Sequence, residues 1–202
     1  MDPSAWDERY AASDLVWSVG PNQFVEQSLT DLPPGRAVDL AAGEGRNAIW
    51  LARRGWHVVA VDFSQVGLDK GRRLAGDTPV DWVCADATSW AAPDPVDLVL
   101  LAYLQLPAAE RARAVRNGFD ALTAGGTFFL VAHDSTNLTE GTGGPQDPRV
   151  LYTAEDVLAD LGDRRFEVVR AGRVAREVTG DDGHGGEVRR TAFDTLVHLR
   201  RG

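Results

Sequence analysis

A single cysteine, Cys84, stands among 202 residues, so no intrachain disulfide framework is possible; a reducing compartment is expected, with Cys84 serving as a small core hydrophobe. Long apolar runs are missing too. No stretch of eighteen apolar residues occurs, which excludes a membrane-spanning helix, and the opening Met1-Asp2-Pro3-Ser4-Ala5-Trp6-Asp7-Glu8-Arg9 is charged where a signal peptide would be apolar. These absences predict a cytoplasmic protein that does not engage membranes. Positive charge is in the minority: 30 acids against 21 Lys and Arg give a formal net charge of −9, which opposes approach to a phosphate backbone. Nucleic acid is therefore not the expected partner, and Arg53-Arg54 with Arg72-Arg73 read as solvated faces of surface helices. Low-complexity segments and internal repeats are absent as well.

What is present is an alternation of short apolar runs and helical patterns. Strands are predicted at 37–41, 58–61, 80–85, 96–103 and 127–133, with helices at 46–54, 64–75 and 107–123 between them. Parallel neighbours need crossovers and both sheet faces must be covered, so the expectation is an α/β, Rossmann-like, doubly wound and mostly parallel sheet. Gly55 is placed to end the first crossover helix, Ser64 to cap the second, and Gly125-Gly126 to end the third. The stretch from Ser135 to Arg149, with three glycines and two prolines, reads as a loop, followed by a helix over 153–161 capped by Thr153. Two final strands, 166–178 and 189–200, flank turn chemistry at Thr179–Gly186 and predict a C-terminal antiparallel hairpin, bringing the sheet to seven strands. At this length a single domain buries roughly 70% of the surface its unfolded chain would expose. Its expected parts are N-terminal capping helices (1–35), a cofactor-binding core (36–134), a flexible substrate loop (135–152), and a C-terminal helix and hairpin (153–202).

The most informative segment is Val38-Asp39-Leu40-Ala41-Ala42-Gly43-Glu44-Gly45-Arg46-Asn47, an apolar strand ending in an acid and then a small-residue turn. A second strand ends at Asp62, where a ribose would present its hydroxyls. Gly43-Glu44-Gly45-Arg46-Asn47-Ala48 fits the dinucleotide fingerprint G-x-G-x-x-A, which an NAD-binding oxidoreductase could claim. Carboxylates at Asp39 and Glu44 would repel a pyrophosphate but welcome a cofactor with a cationic amino-acid end, and Asp86 after the third strand adds a further acid.

These residues resemble the class I S-adenosylmethionine-dependent methyltransferases, whose first motif runs acid-x-G-x-G-x-G and whose second and third strands are followed by acids. Trp6-Asp7-Glu8-Arg9-Tyr10 together with Glu44-Gly45-Arg46-Asn47 looks like the small bacterial members related to the tellurite-resistance and thiopurine methyltransferases. The resemblance covers nearly the whole chain, hairpin included, and departs at Ala41, where the family has a glycine. It implies S-adenosylmethionine as cofactor. Asp39 and the turn of Ala41, Gly43 and Gly45 would meet its methionine portion, Asp62 its ribose, and Asp86 the adenine amino group. Phe63 and Ala87 would sandwich the ring, the backbone at Ala102 would face the sulfonium, and Asn47 and Ser64 complete the set. A helix before the first strand would close over the site, making Tyr10 and Trp17 candidates for an aromatic contact with the sulfonium, while Trp6 reads equally as core.

The acceptor is expected to be a small molecule. An alcohol acceptor needs a base, and His133-Asp134, at the carboxyl end of the fifth strand and leading into the long loop, is the candidate pair. Ser135, Thr136 and Asn137 would extend a polar rim suited to a sugar-like acceptor. O-methylation of a small polar metabolite is thus the leading reading. Transfer to sulfur, selenium, tellurium or nitrogen in detoxification is the alternative, and an idle cofactor-binding domain a more remote one. No metal site is expected, because two adjacent residues make no ligand set. Monomer and homodimer both remain open.

Overall fold

The computed structural model describes residues 3–12, 20–181 and 187–202. Two helices, α1 (Pro3–Ala11) and α2 (Gln23–Leu29), precede a regular alternation: β1 (Arg36–Leu40), α3 (Arg46–Arg53), β2 (His57–Asp62), α4 (Gln65–Ala75), β3 (Asp81–Cys84), β4 (Val96–Ala102), α5 (Ala108–Asp120) and β5 (Leu122–His133). After β5 come a single helical turn, α6 (Asn137–Glu140), a 3-10 turn (Pro148–Val150), α7 (Ala154–Asp160), and the long strands β6 (Phe166–Asp181) and β7 (Glu187–Arg201). The sheet order is β3-β2-β1-β4-β5-β7-β6. β1 to β5 are parallel to one another, whereas β7 runs antiparallel to both β5 and β6. This is the expected doubly wound seven-stranded sheet with its terminal hairpin. Among the described residues, no helix is long and apolar enough to cross a membrane.

Parallel strands that are covered on both sides bury apolar residues on both faces, and two core layers result. On one face Leu40, Val99, Leu101 and Phe128 pack with Phe119 of α5 and Val157 of α7. On the other, Leu98, Leu100 and Phe129 pack with Phe24 of α2 and Leu51 of α3. The helix signals act as expected at three ends. Gly55 follows α3 with φ 91°, the Oγ of Ser64 accepts from the Gly67 N–H at 3.1 Å to cap α4, and Thr153 with Asp156 closes a capping box on α7.

Two expectations need correction. Cys84 is exposed rather than core, because β3 is the free edge of the sheet and only its inner neighbour β2 covers it. α5 stops at Asp120, and Gly125-Gly126 lies inside β5, where the pairing with β4 shifts register between Val96 and Leu98. Leu122 fits a helical stripe and a strand equally well; it pairs with Val96 as strand. In the loop after β5 the Asn137 side chain donates to the carbonyls of Thr142 and Gly143 (3.1 and 2.7 Å) and accepts from Phe193 N–H (2.9 Å), fastening the loop to β7.

Candidate active site

Ligands in open parallel sheets bind beyond the carboxyl ends of the strands, and here the ends of β1, β2, β4 and β5 enclose a continuous groove. Its first part lies over the β1 turn and is lined by Trp6, Tyr10, Ala41, Gly43, Arg46, Asn47, Asp62, Phe63, Ala102 and Tyr103. The turn is built on left-handed backbone at Ala41 (φ 60°), Gly43 (58°) and Gly45 (72°). Ala41 thus adopts the conformation that a glycine would take without strain, at a cost of about 1–2 kcal/mol for an L-residue. Asp62 holds the turn: its Oδ2 accepts from Gly43 N–H and its Oδ1 from Ser64 N–H, both at 2.8 Å. One lone pair on each oxygen remains for a ribose hydroxyl. Burial raises the Asp62 carboxyl above its ordinary range.

Asp39 sits beneath the turn, 1% exposed and outside the groove lining, and neither carboxylate oxygen has a hydrogen-bond partner among the described residues. Burial pushes its pKa up to about 7. A buried, unpartnered acid under a turn of small residues suits a ligand bearing positive charge. Glu44 plays a different part from the one expected: its Oε1 lies 2.9 Å from Lys70 Nζ, so its charge is met inside the protein. Ser64 likewise lies outside the groove. It caps α4, and its hydroxyl donates to Asp7 of α1. Lys70 Nζ donates to the Tyr10 carbonyl at 2.7 Å, so α1 is stitched to α4 and lies over the turn with Trp6 and Tyr10 facing it. Trp17 falls outside the described residues.

Toward β3 the groove continues past Asp62, Phe63, Asp86, Ala87 and Thr88. Asp86 is exposed, and its Oδ1 accepts from Thr88 N–H at 2.8 Å. Phe63 and Ala87 both line this part, as a sandwiched ring requires. An acid at the end of β2 with free lone pairs, a part of the groove lined by Phe63 and Ala87 with Asp86 beside them, and a buried acid under the turn are compatible with the diol, base and cationic end of S-adenosylmethionine.

On the β5 side the groove widens into a cavity of about 710 Å³ lined by His133, Tyr103, Gln105, Arg176 and residues 142–145 of the loop, among others. Here several partners emerge that the sequence reading missed. Asp194 of β7 is fully buried, directly opposite His133 in the register. Its Oδ2 accepts from the Tyr103 hydroxyl (2.9 Å) and from Arg176 Nε (2.8 Å), and its Oδ1 lies 3.3 Å from His133 Nδ1, outside hydrogen-bond geometry. The His133 and Tyr103 rings lie 4.7 Å apart, and the Tyr103 hydroxyl also accepts from Asn22 Nδ2 at 3.2 Å. Gln105 holds the His133 backbone, accepting from its N–H at 2.9 Å and donating to the Val150 carbonyl at 2.6 Å. Tyr103 itself has φ 59°, a second strained residue at the rim. Burial, reinforced by the neighbouring Asp194 charge, pushes its phenol up to about 12, so it serves as a donor and not as a base. Asp194 could have been noticed in the sequence, as the one acid within the mostly apolar run 192–199.

Asp134 does not join this cluster. It is 2% exposed, with Oδ1 accepting from the Thr136 N–H and hydroxyl and Oδ2 from the Thr195 hydroxyl. Of the polar rim expected at 134–137, Asp134 and Asn137 are buried and Thr136 bonds back to Asp134, so these three spend their groups on fixing the loop, while Ser135 stays half-exposed.

Residues 37–126 match the family of methyltransferase domains. A demethylmenaquinone methyltransferase from Clavibacter sepedonicus is 43% identical over 84 residues, which are 39% of this chain; the match spans about a third (34%) of that relative's length. Thiocyanate methyltransferase 1 from Brassica oleracea is 23% identical over 171 residues, covering 80% of this chain and 74% of the relative. The N-methyltransferase NodS from Bradyrhizobium japonicum, solved with S-adenosyl-L-homocysteine, superposes with a TM-score of 0.73 at 16% identity, covering 100% of this chain and 99% of that one. By the sequence of its cofactor-binding core and by its fold from end to end, the chain resembles the class I S-adenosylmethionine-dependent methyltransferases, and S-adenosylmethionine is the cofactor its residues fit.

Proposed function

We propose that the protein transfers a methyl group from S-adenosylmethionine to a hydroxyl of a small polar metabolite, with His133 as the base. The bound cofactor supplies a methyl carbon already activated by the sulfonium, so the chain has chiefly to hold the acceptor in line and take its proton. Asp62 and the Ala41–Gly45 turn would fix the ribose and methionine ends, and Tyr103 stands between this part of the groove and the acceptor cavity. The acceptor oxygen would attack the methyl carbon while the carbon–sulfur electron pair stays on sulfur, and the hydroxyl proton would pass to His133. The residues from 135 to 152 would wall the acceptor in. A sugar-like acceptor has less support, since Asp134, Thr136 and Asn137 spend their polar groups within the loop and on β7.

The observation that carries this reading is the placement of His133. Its Nδ1 is sealed against Asp194, and the part of the ring still accessible, with a side chain 15% exposed, lines the acceptor cavity. A carboxylate behind one ring nitrogen leaves the other to take a proton and steadies the imidazolium that results. A second reading, transfer to a soft anion or an amine without a base, draws on the likeness to thiocyanate methyltransferase and to NodS. Purified protein with methyl-labelled cofactor and a panel of alcohols, phenols, thiols and amines separates the two. In the first case a hydroxyl acceptor is labelled and His133→Ala lowers its turnover about 10²–10⁴-fold with cofactor affinity retained. Labelling confined to thiols or amines and indifferent to His133→Ala would sink the base assignment.

A further inference from the structure

The hairpin extends beyond the sheet. β5 ends at His133, opposite Asp194, yet β6 and β7 remain paired from Val174↔Asp194 out to Asp181↔Glu187, so a two-stranded arm runs past the carboxyl ends of the parallel strands. Successive cross-strand pairs alternate faces, which puts Val174, Arg176 and Val178 on one face with Asp194, Ala192 and Arg190. Arg176, Val178 and Arg190 of that face line the acceptor cavity, where Arg9 of α1 joins them. The cavity lining contains these three arginines and His133 but no carboxylate among the described residues. In a chain whose acids outnumber its bases by 30 to 21, that is a strong local inversion of charge. Asp194 answers the charge of Arg176 from behind, but Arg190, exposed and opposite Val178, has no carboxylate within ion-pair distance among the described residues. Trp6, Pro145, Val150 and Val178 give the same cavity apolar walls.

We infer that the methyl acceptor carries a carboxylate or a similar oxyanion on an apolar body, and that Arg190, backed by Arg176, binds that anion at the arm end of the cavity while the hydroxyl lies at His133. The inference rests on the proposed methyl transfer and narrows its substrate class. Arginine holds a carboxylate through paired N–H donors, and a charge-assisted hydrogen bond outweighs a neutral one enough to distinguish an acid from its amide.

The test uses the whole protein saturated with S-adenosylhomocysteine, titrated calorimetrically with 4-hydroxybenzoate and with 4-hydroxybenzamide, which share ring and hydroxyl and differ in charge. The acid is expected to bind about tenfold more tightly than the amide, roughly the difference one charge-assisted contact makes. Arg190→Gln should abolish that preference and Arg190→Glu reverse it, with S-adenosylhomocysteine affinity unchanged in both. Equal binding of the two probes, binding of neither, or a preference that survives both variants overturns the inference. Failure of S-adenosylhomocysteine to bind at all would instead count against the methyltransferase reading, so the two failures are told apart.

Discussion

Tyr103 and Asp194, 91 positions apart, meet through a 2.9 Å hydrogen bond in which the phenol donates to a fully buried carboxylate. The same carboxylate faces His133, so the tyrosine helps decide where the histidine ring can point. Tyr103→Phe removes one of the two donors on Asp194 Oδ2 and leaves only Arg176 Nε. Turnover should fall about tenfold, in keeping with the cost of leaving a buried acceptor short of a partner, while binding of S-adenosylhomocysteine stays close to wild type. Single-turnover kinetics beside a calorimetric titration would show the split; an equal loss in both would reduce Tyr103 to a fold-holding role.

Asp39 makes the empty protein sensitive to pH in a fixed direction. Its folded pKa of about 7 lies above the ordinary carboxyl value of 3.8, so the folded state binds the extra proton between those values and stability declines as pH rises through that window. Asp39→Asn should therefore raise the melting temperature at pH 8 and change it little at pH 4. The cationic cofactor favours the ionised acid, so wild-type affinity for S-adenosylmethionine should increase from pH 6 to pH 8 with release of a proton, and the variant should show neither effect. Calorimetry in buffers of different ionisation enthalpy measures that proton directly.

Ala41 tests the tolerance of the turn. Ala41→Gly relieves left-handed backbone but frees the unfolded chain, and the two effects nearly cancel, leaving stability within about 1 kcal/mol of wild type. Ala41→Val places a β-branched residue at φ 60° with its methyls in the groove. It should weaken S-adenosylhomocysteine binding more than tenfold and lower the melting temperature, both readable in one thermal-shift titration.

α1 lies over the β1 turn with Trp6 and Tyr10 lining the groove, so its displacement is expected to govern how fast the cofactor enters and leaves. Asp7, which accepts from the Ser64 hydroxyl, is one of its fastenings. Asp7→Ala should speed both association and dissociation of S-adenosylhomocysteine in stopped-flow measurements while shifting the equilibrium constant less than either rate. Unchanged rates would show that the helix opens elsewhere.

The groove around the β1 turn was legible because the residues that build it are local. Asp39, Gly43 and Gly45 lie within one strand and its turn, and Asp62 and Asp86 mark strand ends visible as breaks in apolar runs. The alternation of strand and crossover predicted the sheet for the same reason. Residues of the acceptor half carry no such local mark: Asn22, Tyr103, Gln105, Arg176 and Asp194 converge only because β7 inserts beside β5 in one register, which no short stretch of sequence states. His133 stood out because it ends a strand. Asp134, its neighbour, was misjudged because successive strand residues point to opposite faces, and the one beside a rim residue faces inward. Cys84 was misread because an edge strand looks like an inner one until its neighbours are known.

The division between these halves has an evolutionary meaning. The residues expected to meet the cofactor all lie before residue 105, and the groups proposed to grip the acceptor's anion lie on the β6–β7 hairpin. Mutation can thus redraw the arm, its length and its charges, and try new acceptors without disturbing the methyl donor. A protein organised in this way changes its diet more easily than its fuel.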